Sequence, residues 1–259
     1  MPHEPQTAEI HEQLLKLLKK FHTICVENDI QYSLHGGTLL GAVRENGFIP
    51  WDDDADVSLT RSGYKRFLEV VENYTDDIFS FDRFSNRLPI LILNEPNKQK
   101  VSLDIFVYDC ISEKKLGKTA KIFGLMFYAA ITKTERMMRI SKIRENTRKK
   151  WQVLLFKFVY ILGKPFSQEK KIKAMEKFAE KRFNGNGSLV TRTNDQYNGL
   201  FTINKKDLLE SYILHRFEDT ELMIFEKYDD LLKACFGDYM TPKRMDDVHK
   251  KIHEIFREE

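Results

Sequence analysis

Cysteine is scarce: Cys25, Cys110 and Cys235 are the only three in 259 residues. They are odd in number and far apart, and no pair has zinc-ligand or redox spacing. A disulfide-stapled scaffold is excluded, and a reducing compartment fits best, each thiol serving as a small apolar side chain. Long apolar runs are missing as well. The most apolar stretch, Trp151 to Leu162, is interrupted by Lys157 and falls short of the roughly 20 residues a spanning helix needs. Met1 to Glu12 is polar and lacks the apolar core of a secretory signal. Internal repeats and low-complexity tracts are absent. The histidines make no metal set: His249 and His253 stand four apart, without the intervening Glu of a metalloprotease helix. No serine lies in a nucleophile elbow. The expectation is a cytoplasmic protein, soluble or peripheral at the inner face of the cell membrane, with no nucleic-acid partner.

The chain is long enough for one large domain or two small ones, and 42% hydrophobic with 12% aromatic residues supports a well-packed core. Net charge is only +3, but it is uneven. Residues 45–113 carry 14 acidic and 7 basic side chains; residues 114–183 carry 20 basic and 5 acidic. A basic, amphipathic segment of this kind suits a membrane surface or a polyanion, or else a solvated helical face. Residues 133–150 hold eight of those basic side chains and run directly into the apolar stretch to residue 162. Residues 133–162 are therefore the expected membrane contact.

Apolar spacing predicts a helix over residues 8–28, with Leu14, Leu17, Leu18, Phe21, Ile24 and Cys25 on one face. A short strand at 32–34 leads to Gly36-Gly37, and Thr38 is the expected N-cap of a helical turn ending at Arg44. Residues 54–59 alternate as a strand, so Asp54 and Asp56 share one face and Ala55, Val57 and Leu59 the other. A helix at 61–74 and strands at 88–93 and 101–108 follow. About four helices are expected across 114–183, broken near 132–133 and at 163–165. Beyond lie a loop with one short strand, a hairpin near 212–224 and a helix stopped by Gly237. Three segments emerge: a core at 1–113, a basic helical segment at 114–185, and a C-terminal part at 186–259 packing back on the core.

The chemistry gathers in residues 36–57, GGTLLGAVRENGFIPWDDDADV. Four aspartates in five positions repel one another unless they are solvated or share a cation. Phe48, Ile49 and Trp51 before them and Val57 and Leu59 after them argue against full solvation. Asp104, alone in the apolar run Ser102-Leu103-Asp104-Ile105-Phe106-Val107, needs a partner if buried. Asp54, Asp56 and Asp104 together can hold one or two Mg²⁺ ions, whereas an ion pair with Lys or Arg would satisfy Asp104 without metal. A calcium loop fails twice, with Val57 at its required glycine and Gly63 at its required glutamate. Gly36-Gly37-Thr38 can present backbone N–H groups to phosphate, with Arg44 adding a bidentate contact. Without a Gly-Lys-Ser/Thr ending it is not a P-loop. His35 is either a structural histidine or a substrate contact. Trp51 is either core or, for a donor bearing a quaternary ammonium, part of an aromatic cage.

The order of glycine turn, Asp-x-Asp strand and lone aspartate on a later strand resembles the nucleotidyltransferase-fold superfamily, and within it the LicD family, which includes the fukutin-related proteins. Two blocks carry the resemblance. The first is Gly37-Thr38-Leu39-Leu40-Gly41-Ala42-Val43-Arg44 with Phe48-Ile49-Pro50-Trp51-Asp52-Asp53-Asp54. The second is Phe217-Glu218, Tyr228-Asp229-Asp230-Leu231-Leu232 and Gly237-Asp238-Tyr239-Met240-Thr241-Pro242. Residues 114–200 carry no signature. Ile224-Phe225 and Phe236 depart from positions where relatives favour proline and tyrosine. The resemblance implies an α+β nucleotidyltransferase fold, with a small mixed sheet flanked by helices, a helix-rich insertion and C-terminal helices. It implies transfer of a phospho-substituent from a CDP-activated donor, foremost CDP-choline, to a hydroxyl of a surface glycan such as teichoic acid or lipopolysaccharide. Asp54, Asp56 and Asp104 would be the catalytic and Mg²⁺-binding residues, and Gly37, Thr38, Arg44 and Trp51 would bind substrate. Polyol-phosphate transfer, nucleotidyl transfer, and a non-catalytic membrane- or glycan-binding module are the alternatives.

Overall fold

The computed structural model describes residues 5–133, 158–195 and 197–241. Helix α1 (Pro5–Glu27) opens the chain and buries the predicted apolar stripe from Leu14 to Cys25. There follow β1 (Ser33–Leu34), α2 (Gly36–Glu45), β2 (Ala55–Thr60), α3 (Arg61–Val70), β3 (Phe79–Asp82), β4 (Ile90–Leu93) and β5 (Val101–Ile111). The second half contributes α4 (Lys115–Ile131), α5 (Gln168–Lys181), β6 (Leu189–Arg192), α6 (Tyr197–Leu200), β7 (Ile203–Lys205), a β8–β9 hairpin (Tyr212–Phe217, Thr220–Phe225) and α7 (Tyr228–Phe236).

Seven of these strands form one mixed sheet in the order β1-β2-β5-β4-β3, with β6 added beside β5 and β7 beside β6. This is the expected α+β architecture. Only β2 and β5 run parallel. The far edge of β5 is shared by two strands: β4 pairs with its start and β6 with its end. In the gap between them the Asn194 side chain takes the place of a strand. Its amide donates to the Ile105 carbonyl, and its oxygen accepts from the Val107 N–H, both at 2.9 Å. Without it two ladder groups deep in the sheet would go unpaired, which buried backbone rarely tolerates.

Strand alternation divides the sheet into two faces. Ala55, Val57 and Leu59 on β2 and Leu103, Ile105 and Val107 on β5 are fully buried in the main core, where α1 packs on β5. The other face carries Asp56, Asp104, Phe106 and Tyr108. This division was legible in the alternation of residues 54–59.

Several local expectations shift. Helix α2 begins at Gly36, not at Thr38, so its N-cap is His35, which makes no side-chain cap bond. Thr38 is inside the helix because its hydroxyl is used elsewhere, as described below. The helix from Arg61 tightens into a 3₁₀ turn at Val71–Tyr74. Strand β3 had no clear sequence signal. Helix α7 starts at Tyr228 and stops at Gly237, whose φ of +68° suits glycine. Most of the expected membrane contact at 133–162 (residues 134–157), and both His249 and His253, lie outside the described residues.

Candidate active site

Asp56 and Asp104 are direct partners in the parallel β2–β5 register, so their side chains stand side by side on strands about 4.8 Å apart. Asp54 precedes β2 by one residue and adds its charge to both. The consequence is strong mutual repulsion. Burial, then Asp54, Asp104, Asp52 and Asp195 in turn, raise the Asp56 carboxyl well above its ordinary range. Burial, then Asp54, pushes Asp104 up to about 7. Among the described residues no lysine or arginine forms an ion pair with Asp104, so the ion-pair alternative has no support here.

This donor set suits a hard divalent cation: oxygen ligands only, on one face, raised in energy by their own repulsion. Among the described residues no three acidic, histidine or cysteine side chains are drawn closely enough together to enclose a metal by themselves.

The glycines that open α2 let these carboxylates approach. A Cβ on Gly36 would lie 2.8 Å from Asp56 Oδ2, and one on Gly37 would lie 2.7 Å from Asp52 Oδ2. Gly36 also has a φ of +54°, which L side chains avoid. Both carboxylates thus sit at the positive end of the α2 dipole, which offsets part of their charge. Thr38 is buried, with its hydroxyl oxygen accepting from the Asp56 N–H at 2.9 Å. His35 N–H in turn donates to the Asp56 carbonyl at 2.9 Å. These bonds lock α2 to β2 and fix the height of Asp56.

Arg44 stands eight residues further along α2, about 12 Å away at 1.5 Å per residue. Its guanidinium binds Glu45 at 2.7 Å and the Tyr239 carbonyl at 3.3 Å. The structure does not bring Arg44 to the carboxylates. Trp51 is 42% exposed, so it is no core residue. It stands next to Asp52, whose carbonyl meets His11 Nε2 at 2.6 Å.

The late sequence block supports the early one across the fold. Glu218 at the tip of the β8–β9 hairpin accepts from the Phe48 N–H at 3.0 Å, and its own N–H donates to Asn46. Phe217 meets Phe48 edge-on, and His11 stacks on the same ring. The loop delivering Asp52–Asp54 is thereby held on two sides. Tyr239, whose carbonyl receives Arg44, is itself anchored through its hydroxyl to Asp229 at 2.7 Å.

A second group, built on His35 and on an arginine that the sequence left unmarked, adjoins the carboxylates. Arg192 on β6 is paired in register with Tyr108, on the same face as Asp104 and Phe106. Its Nη1 donates to His35 Nε2 at 2.6 Å, and its Nε lies 3.0 Å from Asp195 Oδ2. His35 is buried over Phe106, and burial followed by the Arg192 charge holds it well below the usual histidine range. A neutral His35 can accept that bond. Arg192, His35 and Gly36 line a pocket of about 270 Å³ whose remaining walls include Leu39, Tyr108, Phe225, Leu232 and Phe236. Arg192 was missed because one basic residue in Val190-Thr191-Arg192-Thr193 signals nothing until β6 is placed beside β5.

Residues 29–119 match the LicD/FKTN/FKRP nucleotidyltransferase domain. Over 266 aligned positions the chain is 30% identical to the lipopolysaccharide cholinephosphotransferase LicD of Haemophilus influenzae, covering 93% of this chain and 94% of that protein. Shorter matches reach uncharacterized proteins of Rickettsia typhi (38% over 61 residues; 24% of this chain, 20% of that protein) and Rickettsia prowazekii (48% over 46 residues; 18% and 17%). With the glycine turn, the paired aspartates and the buttressing C-terminal block all present in one fold, and with near end-to-end similarity to LicD, the chain belongs to the LicD family.

Proposed function

We propose that this protein is a Mg²⁺-dependent cholinephosphotransferase that moves phosphocholine from CDP-choline to a hydroxyl of a cell-surface glycan, a lipopolysaccharide or teichoic acid precursor, and releases CMP. The observation that carries the reading is the in-register pair Asp56–Asp104 with Asp54 beside it, in a chain similar along its length to a cholinephosphotransferase. Asp54, Asp56 and Asp104 would hold the metal, which when bound supplies charge neutralisation at the diphosphate. The acceptor oxygen bonds to the choline-bearing phosphorus, and the bridging P–O bond breaks with its electron pair leaving on CMP. Asp104, side by side with Asp56 on the same face of the sheet, is assigned to take the acceptor's proton. Gly36 and Gly37 give the carboxylates room, and Thr38 fixes Asp56. Gly37 also offers its N–H at the start of α2 to phosphate. Trp51, exposed beside Asp52, supplies an aromatic face to the choline cation. Arg44 steadies the loop through Tyr239 rather than touching phosphate.

Incubating the protein with CDP-choline, Mg²⁺ and a glycan acceptor should yield CMP and phosphocholine-bearing glycan in equal amounts. CDP-glycerol or CDP-ribitol as the better donor would replace the reading with polyol-phosphate transfer. Pyrophosphate formed from a nucleoside triphosphate would indicate nucleotidyl transfer, and no turnover with any of these would leave a binding module.

Peripheral attachment to an anionic membrane belongs to the same reading, because the acceptor is then a lipid-linked glycan. Leu116, Phe123 and Phe127 lie on one outward face of α4, and Phe158, Ile161, Leu162 and Phe166 are also exposed. The two segments come together at the end of α4, where Gly163 packs on Ile131. Lys115 and Lys164 are exposed beside them. Apolar side chains with a basic rim suit the interface of an anionic bilayer. The protein should float with anionic vesicles at low salt and be released at high salt; absence of flotation at low salt rejects the attachment. No helix among the described residues is long and apolar enough to cross a membrane.

A further inference from the structure

The pocket beside Arg192 is chemically unlike the carboxylate end of the site, and that difference fixes the direction in which a donor can lie. Its lining holds a guanidinium, a neutral imidazole and apolar or aromatic walls, with no carboxylate. The carboxylate nearest to it, Asp195, is already engaged by Arg192 at 3.0 Å, so a quaternary ammonium brought into the pocket would meet an ion pair and apolar walls in place of an anion of its own. At the opposite end stand Asp52, Asp53, Asp54 and the exposed Trp51, an environment that attracts such a cation.

The two ends are joined on one surface. Gly36 lines the pocket and also abuts Asp56. Along β5, Tyr108 follows Asp104 by four residues on the same face, about 13 Å at roughly 3.3 Å per residue. His35 over Phe106 and the guanidinium of Arg192 fill the interval. A nucleoside diphosphate ester laid along this line would place its uncharged planar end in the pocket and its charged ester at the aspartates.

Resting on the cholinephosphotransferase reading, we infer that the pocket formed by Tyr108, Arg192, Phe225, Leu232 and Phe236 receives the nucleoside end of the donor, and that Arg192 binds the phosphate that departs with it. In the reaction the acceptor oxygen bonds to the far phosphorus, and the bridging oxygen leaves on the near phosphate with one added negative charge. Arg192 is placed for that leaving phosphate, where a charge-assisted hydrogen bond strengthens as charge develops. The α7 wall of the pocket, from Leu231 to Phe236, gives the C-terminal block a direct part in donor recognition in addition to its buttressing of the Asp52–Asp54 loop.

Cys235 is exposed and lines the pocket, so Cys235→Trp should narrow it without disturbing the core. Calorimetric titration with CMP and, separately, with phosphocholine in the presence of Mg²⁺ tests the assignment. Cys235→Trp should weaken CMP at least tenfold and leave phosphocholine within twofold of the parent protein. Phe236→Ala, at the same partly exposed wall, should also weaken CMP selectively, which keeps the test open if the first variant folds poorly. The inference falls if phosphocholine alone weakens, if both ligands weaken alike, or if neither changes while the parent binds CMP. A parent protein that binds neither ligand would instead count against the cholinephosphotransferase reading itself.

Discussion

Asp56→Asn should lose at least about a thousandfold in turnover and yet melt at a higher temperature than the parent when both are metal-free. The two effects share one cause. Asp56 is held well above the ordinary carboxylate range by burial, and then by Asp54, Asp104, Asp52 and Asp195. An amide of the same shape keeps the Thr38 bond, which involves only the Asp56 backbone N–H, and removes the repulsion. Relief equal to even one pKa unit is about 1.4 kcal/mol, or roughly 3–6 °C in a chain of this size. The same amide cannot serve as an anionic metal ligand, and about 4 kcal/mol of lost transition-state stabilisation is a thousandfold in rate. Scanning calorimetry in EDTA, repeated with Mg²⁺, separates the two. The parent should gain stability from Mg²⁺ and the variant should not. A variant that turns over normally, or melts lower than the parent without metal, would overturn the site.

The same repulsion sets a pH dependence. Asp104 is raised in the fold to about 7 from an ordinary carboxylate value near 4. A raised folded pKa means that the folded state holds the proton more tightly, so the contribution to stability is full below about 4 and is lost as pH rises through about 7. Metal-free protein should therefore lose melting temperature between these values. Mg²⁺ competes with that proton, so the stabilisation it gives should grow over the same interval.

What the sequence revealed here, and what it hid, follows the range of the interactions involved. Asp54 and Asp56 were legible as a pair because alternation is local, and the α1 stripe and the stop at Gly237 were legible for the same reason. Asp104 could be singled out as a lone charge in an apolar strand. That it stands directly opposite Asp56 depends on a parallel register between segments some fifty residues apart, which alternation does not specify. Thr38 looked like an N-cap because Ser and Thr usually are, but the long-range bond to the Asp56 N–H drew it inside the helix and left His35 at the cap. Arg192, Asn194 and Lys121 share this character. Lys121 is buried in α4, with its ammonium donating to the Cys110 carbonyl, to the Ala179 carbonyl at 2.6 Å and to Asn184 Oδ1 at 2.7 Å. In the sequence it is one lysine of a basic run. Burial, the largest influence, lowers it to about 8, and three acceptors, on β5, on α5 and in the turn after α5, keep it satisfied. The C-terminal block could be matched as a pattern, but its contact with Phe48 from 170 residues away needed the fold.

Gly41→Ala should unfold the protein at a markedly lower temperature, and it should do so through the aspartate loop. Gly41 lies in the middle of α2 with ordinary helical backbone, where alanine would normally help by about 1 kcal/mol. Here its Cβ would overlap the Gly47 carbonyl oxygen and lie 3.1 Å from the Ile49 nitrogen. Both obstacles are backbone, so no side chain can rotate away. The chain at Gly47–Ile49 must shift, and it is the segment pinned by Glu218, Phe217 and His11 before it reaches Asp52. Overpacking of this kind costs about 1–3 kcal/mol and sets aside the helical gain, so the melting temperature should fall by roughly 3–10 °C. Gly47→Ala provides the contrast. Its Cβ would meet the Glu218 carboxylate, a side chain that can swing aside at the expense of the Phe48 hydrogen bond. Combining Gly47→Ala with Glu218→Ala should therefore recover part of the stability lost by Gly47→Ala alone, whereas the second change should give Gly41→Ala no such relief. Turnover should follow the loop: Gly41→Ala should stay impaired even at temperatures where it is fully folded, because Asp52 to Asp54 can no longer be delivered at the height set by Thr38 and Asp56. A Gly41→Ala protein with parental melting temperature and parental activity would show that α2 and the aspartate loop are not coupled as this packing requires.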